Sequence, residues 1–229
     1  IEVPGHGLSG YVVADVIDPA PYIPSGAGLP LYTTAIDMGQ FFTPLQGTHG
    51  DVVILRNNWG EGDERQQLQN SGGYAYVTKN SLYEQRLIGA SYIDLVKDTS
   101  PGNGEYYTVE GHWLPRHMAI GATFSRTEKV QFYRKSDCQP VPGKTTNWTT
   151  LLRFDALLPT FTTKYGVTFS TVAKLSWLVN GAVEEEYFFS AGAGLIAWKK
   201  KGGMESAAAL VHPVGSVPNN VMETGCFGP

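Results

Sequence analysis

An all-β fold made of antiparallel sheets is what this sequence predicts, on three observations. Short runs rich in Val, Ile, Thr, Tyr and Phe recur along its 229 residues, cut at close intervals by Gly, Pro, Asn and Asp. Several runs alternate, Val130 and Phe132 against Gln131 and Tyr133, and Leu175, Trp177 and Val179 against Lys174, Ser176 and Leu178. That period of two is what a sheet with one covered face produces. No stretch of a dozen residues holds a helical period, so the crossover helices of a parallel sheet are missing. A two-sheet sandwich or jelly roll is the first expectation, and a closed barrel or roll the alternative.

The runs, in order, are Tyr11–Ile17, Leu31–Ile36, Asp51–Arg56, Tyr74–Lys79, Leu82–Ile88, Tyr92–Lys97, Glu105–Val109, Lys129–Lys135, Trp148–Phe154, Val167–Phe169, Val172–Val179, Glu184–Phe189 and Leu195–Lys199. Only Glu61–Asn70 and Glu205–Leu210 are candidates for a turn or two of helix. Asp18–Pro30, with four prolines, reads as a long connection after an N-terminal strand, and 212–229 as an irregular tail. A single domain over 1–229 is expected, because β domains of roughly 200–250 residues are common. A chain of this size buries about 70% of its unfolded surface and needs no metal merely to fold.

Charged residues make up only 17% of the chain and hydrophobic ones 42%, against about 25% charged in an ordinary soluble domain. A surface dominated by Thr, Ser, Asn, Gln, Gly and Tyr suits a secreted or cell-surface protein. The net charge of −4 comes with no basic stripe, which argues against a nucleic-acid partner. Lys199-Lys200-Lys201 runs into Gly202-Gly203 and reads as a solvated turn. No apolar segment of about 20 residues is present to span a bilayer. Starting at Ile1, the chain reads as a mature one from which a leader has been removed, or as one trimmed. Cys138 and Cys226 permit one bridge in an oxidising compartment, or stand as two separate thiols. Asn147-Trp148-Thr149 is a glycosylation sequon.

The motifs of nucleophile elbows, phosphate loops, zincins and dinucleotide sites are absent from the sequence. The densest group of reactive types is Glu110-Gly111-His112-Trp113-Leu114-Pro115-Arg116-His117. Glu110, His112 and Arg116 are the candidate catalytic residues, offering proton transfer and a cation for an anionic sugar. The alternative is a strand-to-loop corner in which Trp113 packs and Arg116 pairs with an acid. Asp98, Asn103 and Glu105 surround a glycine-rich turn and are candidate calcium ligands, or the loop is a plain Pro-Gly corner. No other cofactor is expected. A glycosidase needs two carboxyl groups about 5–10 Å apart, and Glu84, Asp94, Glu105, Glu110, Asp155, Glu184, Glu185 and Glu186 all qualify by type. A uronate lyase would cast Tyr106 or Tyr107 with His112 and Arg116. Aromatic faces bind sugar faces, and Trp59, Trp113, Trp148 and Tyr106 are the candidate ligand platforms, while Trp177 and Trp198 read as core.

The stretch Glu186-Tyr187-Phe188-Phe189-Ser190-Ala191-Gly192-Ala193-Gly194-Leu195-Ile196-Ala197-Trp198 resembles a terminal hairpin of exported bacterial β-rich surface proteins and lipoproteins. There an aromatic strand turns through G-x-G into an aliphatic strand ending in Trp. Tyr92–Pro101 and His112–Arg116 are similar to segments of secreted proteins of the same kind. The resemblance implies location and fold class and brings no catalytic residues. Three functions follow as expectations: a non-catalytic module binding carbohydrate or a cell-surface glycan, a polysaccharide hydrolase or lyase, and a filament subunit self-assembling by addition of strand Tyr11–Ile17 to a neighbour.

Overall fold

The computed structural model describes residues 34–219 except 61, 72–73, 80–81 and 100–104, and of 74–79, 82–83, 99 and 148 it describes the backbone only. The chain forms β1 (Ile36–Asp37), a 3-10 turn (Met38–Phe41), β2 (His49–Asn57), β3 (Asp63–Ser71), β4 (Tyr74–Lys79), β5 (Leu82–Ile88), β6 (Tyr92–Thr99) and β7 (Glu105–Glu110). It continues with β8 (Leu114–Pro115), β9 (His117–Met118), β10 (Thr123–Arg134), β11 (Pro140–Thr162), β12 (Thr168–Val179), β13 (Ala182–Ser190), β14 (Gly194–Lys200) and β15 (Glu205–His212). The fold is all-β, as the alternating runs predict. The strand Tyr11–Ile17, the connection 18–30, most of the tail, Asn103 and Cys226 lie outside the described residues.

Thirteen strands form one antiparallel sheet in the order β5-β4-β3-β2-β15-β14-β13-β12-β11-β10-β7-β6-β8, and β1 pairs with β9 in a small second sheet. Neighbours in space are mostly neighbours in sequence. This is a meander, without the long crossing connections of a jelly roll. The last strand lies beside β2, with Val52 opposite His212. At the other end of the order β5 pairs with β6 through Leu87↔Asp94 and Ile88↔Ile93. The sheet folds back so that its opposite stretches face each other across the core as the two layers of a sandwich do.

Local chemistry sets several corners. Asn180-Gly181 joins β12 to β13 with both residues at positive φ (51° and 78°), the pair that a two-residue hairpin turn favours. Between β13 and β14, Gly192 has φ 74°, and a Cβ there would come within 2.5 Å of the Leu45 side chain. Only glycine lets the chain after the 3-10 turn lie so close, and the Gly192 amide donates to the Gln40 carbonyl (3.0 Å).

Two expectations of helix are corrected. Glu61–Asn70 falls largely in β3 and Glu205–Leu210 in β15, each hydrogen-bonded to strands on both sides. Gln, Glu and Ala are good helix formers, but the preference is worth only a few tenths of a kcal/mol per residue, which a two-sided ladder overrides. The alternation in β12 also misleads. Ser176 and Leu178 are buried as well as Leu175, so both faces of this strand are covered. Outside the sheet, Phe188, Ala197 and Ala207 share one face by register, and Phe161 from the end of β11 stacks on Phe188 at 4.5 Å. The long β11–β12 hairpin folds over that outer face.

Inside, one end of the roll is stoppered. Met38, Phe41, Phe42, Leu114, Met118, Phe154 and Phe189 form a buried cluster. The Phe42 ring meets Trp113 edge-on at 5.1 Å and Phe189 at 4.9 Å. Each fully buried side chain of this kind contributes about 1.5–3 kcal/mol. Asp37 holds the 3-10 turn in place by accepting from the Gly39 amide (2.8 Å) and from Arg116 Nη2 (2.8 Å).

Candidate functional site

Above this apolar floor the inner face lines a cavity of about 410 Å³ that is open to solvent. Period-two alternation delivers one or more inward side chains from β2, β3, β5, β6, β7 and each of β10 to β15. Cross-strand register stacks them in layers. Phe42, Leu68, Trp113, Leu152 and Phe189 make the floor, and Trp59, Trp198, Asn57, Glu64 and Ser206 lie toward the other end. Four of the five tryptophans, Trp59, Trp113, Trp177 and Trp198, line the space. Trp59 is also 37% exposed and meets Trp198 edge-on at 5.9 Å, so it reaches from the cavity to solvent.

Between floor and rim runs a polar belt. On β5, Arg86 Nη2 donates to Glu84 Oε2 at 2.5 Å. On β10, Arg126 lies 3.3 Å from Glu128 and donates to Thr150 Oγ1 (2.5 Å) and the Trp113 carbonyl (2.6 Å). Both pairs are spaced by two residues, which in a strand puts guanidinium and carboxylate on one face. The two guanidiniums also stack on the Trp113 ring, Arg86 at 5.0 Å and Arg126 at 5.6 Å. Tyr107 donates to Asp98 at 2.6 Å, and Tyr187 donates to Glu185, which also accepts from Trp198 Nε1 (3.1 Å).

The belt is dry enough to shift its ionisations. Burial pushes Arg126 down to about 10, against the pull of Glu128. Burial raises Glu128 above the ordinary carboxylate value, with Arg126 opposing. Tyr107 and Tyr187 are pushed far up, first by burial and then by the carboxylates they bond. Both phenols are fixed as donors.

Four buried atoms of the belt have no hydrogen-bond partner among the described residues: Gln66 Oε1, Arg86 Nε, Glu128 Oε1 and Trp177 Nε1. Gln66, Arg86 and Glu128 are 1%, 7% and 2% exposed, and all four residues line the cavity. Leaving such an atom unmatched costs about 1–3 kcal/mol.

The residues singled out from the sequence are placed differently. Glu110 is exposed and faces Lys129 (3.4 Å). His112 is exposed, stacks on Tyr92 at 3.7 Å and pairs with Asp94 (2.8 Å). Arg116 is bound to Asp37. Each has a different partner and none lines the cavity; Trp113 packs, and the corner reading describes this segment. Asp98 faces Tyr107 while Glu105 binds Lys144 (2.7 Å), and no group of three or more potential metal ligands occurs among the described residues. Tyr106 is buried on the opposite face from Tyr107, under Lys135. Asn147 is exposed on β11, the Trp148 side chain lies outside the described residues, and Cys138 sits in an exposed turn at φ 63°. Trp59 does reach solvent, and Trp177 and Trp198 do face inward, though onto a cavity.

Gln66, Arg86, Glu128, Trp177 and Tyr187 were not among the expected site residues. The signal for them is the pair Glu84-x-Arg86 and Arg126-x-Glu128, charges at strand spacing on a face that also carries Leu, Val or Phe.

Against known proteins, no family model, no curated sequence and no solved structure matches the chain.

Proposed function

We propose that the protein is a non-catalytic binding protein that takes a small ligand into the interior of the roll. The observation that carries this reading is a cavity open at one rim, with tryptophan walls and a belt of buried, partly unmatched polar atoms. Its volume of about 410 Å³ falls within the 300–1,000 Å³ of ordinary ligand pockets. The same features weigh against proton-abstraction chemistry. A tyrosine base must ionise near neutral pH, and both cavity tyrosines are pushed the other way. Glu110, His112 and Arg116, offered for catalysis, sit on the outside with separate partners. Strand addition finds little to build on among the described residues, where every strand of the large sheet except β8 has neighbours on both sides.

An extracellular setting belongs to this proposal, supported by the low charged fraction and the exposed sequon. So does a bridge between Cys138 and Cys226, expected as a 2 Da mass gain on reduction of the intact chain. The test of the central reading is intrinsic fluorescence. With four tryptophans on the cavity wall, a ligand that enters is expected to change emission saturably, and Ser206→Trp, which fills the rim, to abolish the change. A saturable signal untouched by Ser206→Trp would place binding elsewhere.

A further inference from the structure

Resting on the cavity reading, we infer that the ligand is a small neutral polyol of one or two polyhydroxylated rings, a free monosaccharide, small disaccharide or cyclitol. The unmatched atoms decide its chemistry. Arg86 Nε and Trp177 Nε1 are donors, whereas Gln66 Oε1 and Glu128 Oε1 are acceptors. A carboxylate or phosphate would satisfy the two donors and leave both acceptors bare. An ammonium group would do the reverse. A purely apolar ligand would desolvate all four. Only a group that donates and accepts at once serves both kinds, and ring hydroxyls do.

Charge points the same way. The guanidiniums of Arg86 and Arg126 are already opposed by Glu84 and Glu128, so neither is left over for an anion, and Asp98 and Glu64 on the lining repel one. The walls suit a ring with one apolar face, because the indoles of Trp177 and Trp198 and the phenol of Tyr187 flank the belt. Size and closure exclude a polymer. Phe42, Trp113 and Phe189 seal the floor, so a polysaccharide chain cannot thread through, and a space of about 410 Å³ holds one or two sugar rings. The carbohydrate expected from the sequence is thereby moved from an exposed aromatic platform to the interior, and from a glycan chain to a free sugar.

The test is isothermal titration of the full chain with glucose, galactose, mannose, myo-inositol and maltose as neutral probes. Glucuronate and glucosamine serve as charged probes and decanol as an apolar one. Trp177→Phe keeps an aromatic wall and removes one donor, and Ser206→Trp blocks the rim. At least one neutral probe is expected to bind stoichiometrically, more tightly than its charged analogue, roughly 10- to 100-fold more weakly to Trp177→Phe, and not at all to Ser206→Trp. Circular dichroism of both variants confirms that they fold. Binding of decanol, glucuronate or glucosamine in preference to every neutral sugar, lost in Ser206→Trp, overturns the ligand class and leaves the cavity reading standing. Sugar binding that survives Ser206→Trp unchanged overturns both. Failure of every neutral probe overturns the polyol assignment, and maltoheptaose binding more tightly than maltose overturns the exclusion of a chain.

Discussion

The outer corner 110–117 and the inner belt carry the same residue types, and they differ in what surrounds them. Outside, Glu110 faces Lys129, His112 lies between Tyr92 and Asp94, and Arg116 binds Asp37 and the Gly89 carbonyl. Inside, Arg86 and Arg126 stack on Trp113 and pair with Glu84 and Glu128, and single atoms of Arg86 and Glu128 are left over. Burial, and not nearness in sequence, is what sets the two groups apart. The cluster that looks richest in the sequence is a strap that holds Asp37 and the 3-10 turn over the floor.

The sharpest way to test that difference is to break one ion pair of each kind. Arg126→Met leaves Glu128 buried without its cation and is expected to cost about 3–5 kcal/mol of stability in urea unfolding. Replacing both partners, Arg126→Met with Glu128→Leu, should recover most of the loss, because an apolar pair of similar volume suits a dry belt. The floor is expected to be comparable: Phe42→Ala should lose about 3–5 kcal/mol through lost burial and an unfilled space. At the outer corner, Arg116→Met should lose only about 1 kcal/mol, as partly exposed pairs do. His112→Ala should stay within about 0.5 kcal/mol of the parent.

The two regions should also respond to pH with opposite signs. Arg116 holds Asp37 below its ordinary value of 3.8, so Asp37 contributes stability above that value that is lost as pH falls through the lowered one. Burial holds Glu128 above its ordinary 4.5. Its folded form binds the proton more tightly than the unfolded chain does, and stability falls as pH rises from 4.5 through the raised value. Asp37→Asn is expected to flatten the acid limb of a stability–pH curve, and Glu128→Gln to flatten the decline above 4.5. If both substitutions changed the same limb, the contrast between corner and belt would be wrong.

Much of the fold was legible because strand chemistry is local. Gly192 through Gly194 and Gly202-Gly203 mark their turns in the bare sequence, and the strands on either side follow from β-branched and aromatic runs. The helix-like composition of β3 and β15 misleads because Gln66 and Gln67 take their conformation from ladders with β2 and β4, and the Ala207–Ala208 pair from β2, far along the chain. The site was less legible still. Inward and outward positions of β5 and β10 look alike until the sheet comes round to enclose one face, and a register shift between Gln85 and Arg86 changes the alternation on the way. Trp177 and Trp198 were recognisable as inward, but a tryptophan facing a packed core and one facing a cavity have the same neighbours in sequence.

The pairing of β15 with β2 has a further consequence, for the newborn chain. Every other ladder of the large sheet joins segments that leave the ribosome within a few dozen residues of each other, and those can zip as they emerge. The Val52–His212 ladder cannot start until every strand from β3 to β15 has been made. Until then two long strands stand with bare amides and carbonyls, the condition in which β proteins find the wrong partner. Such a late, non-local step is intrinsically slow, so yield on expression should depend more on temperature and chaperone supply during synthesis than on the stability of the finished protein.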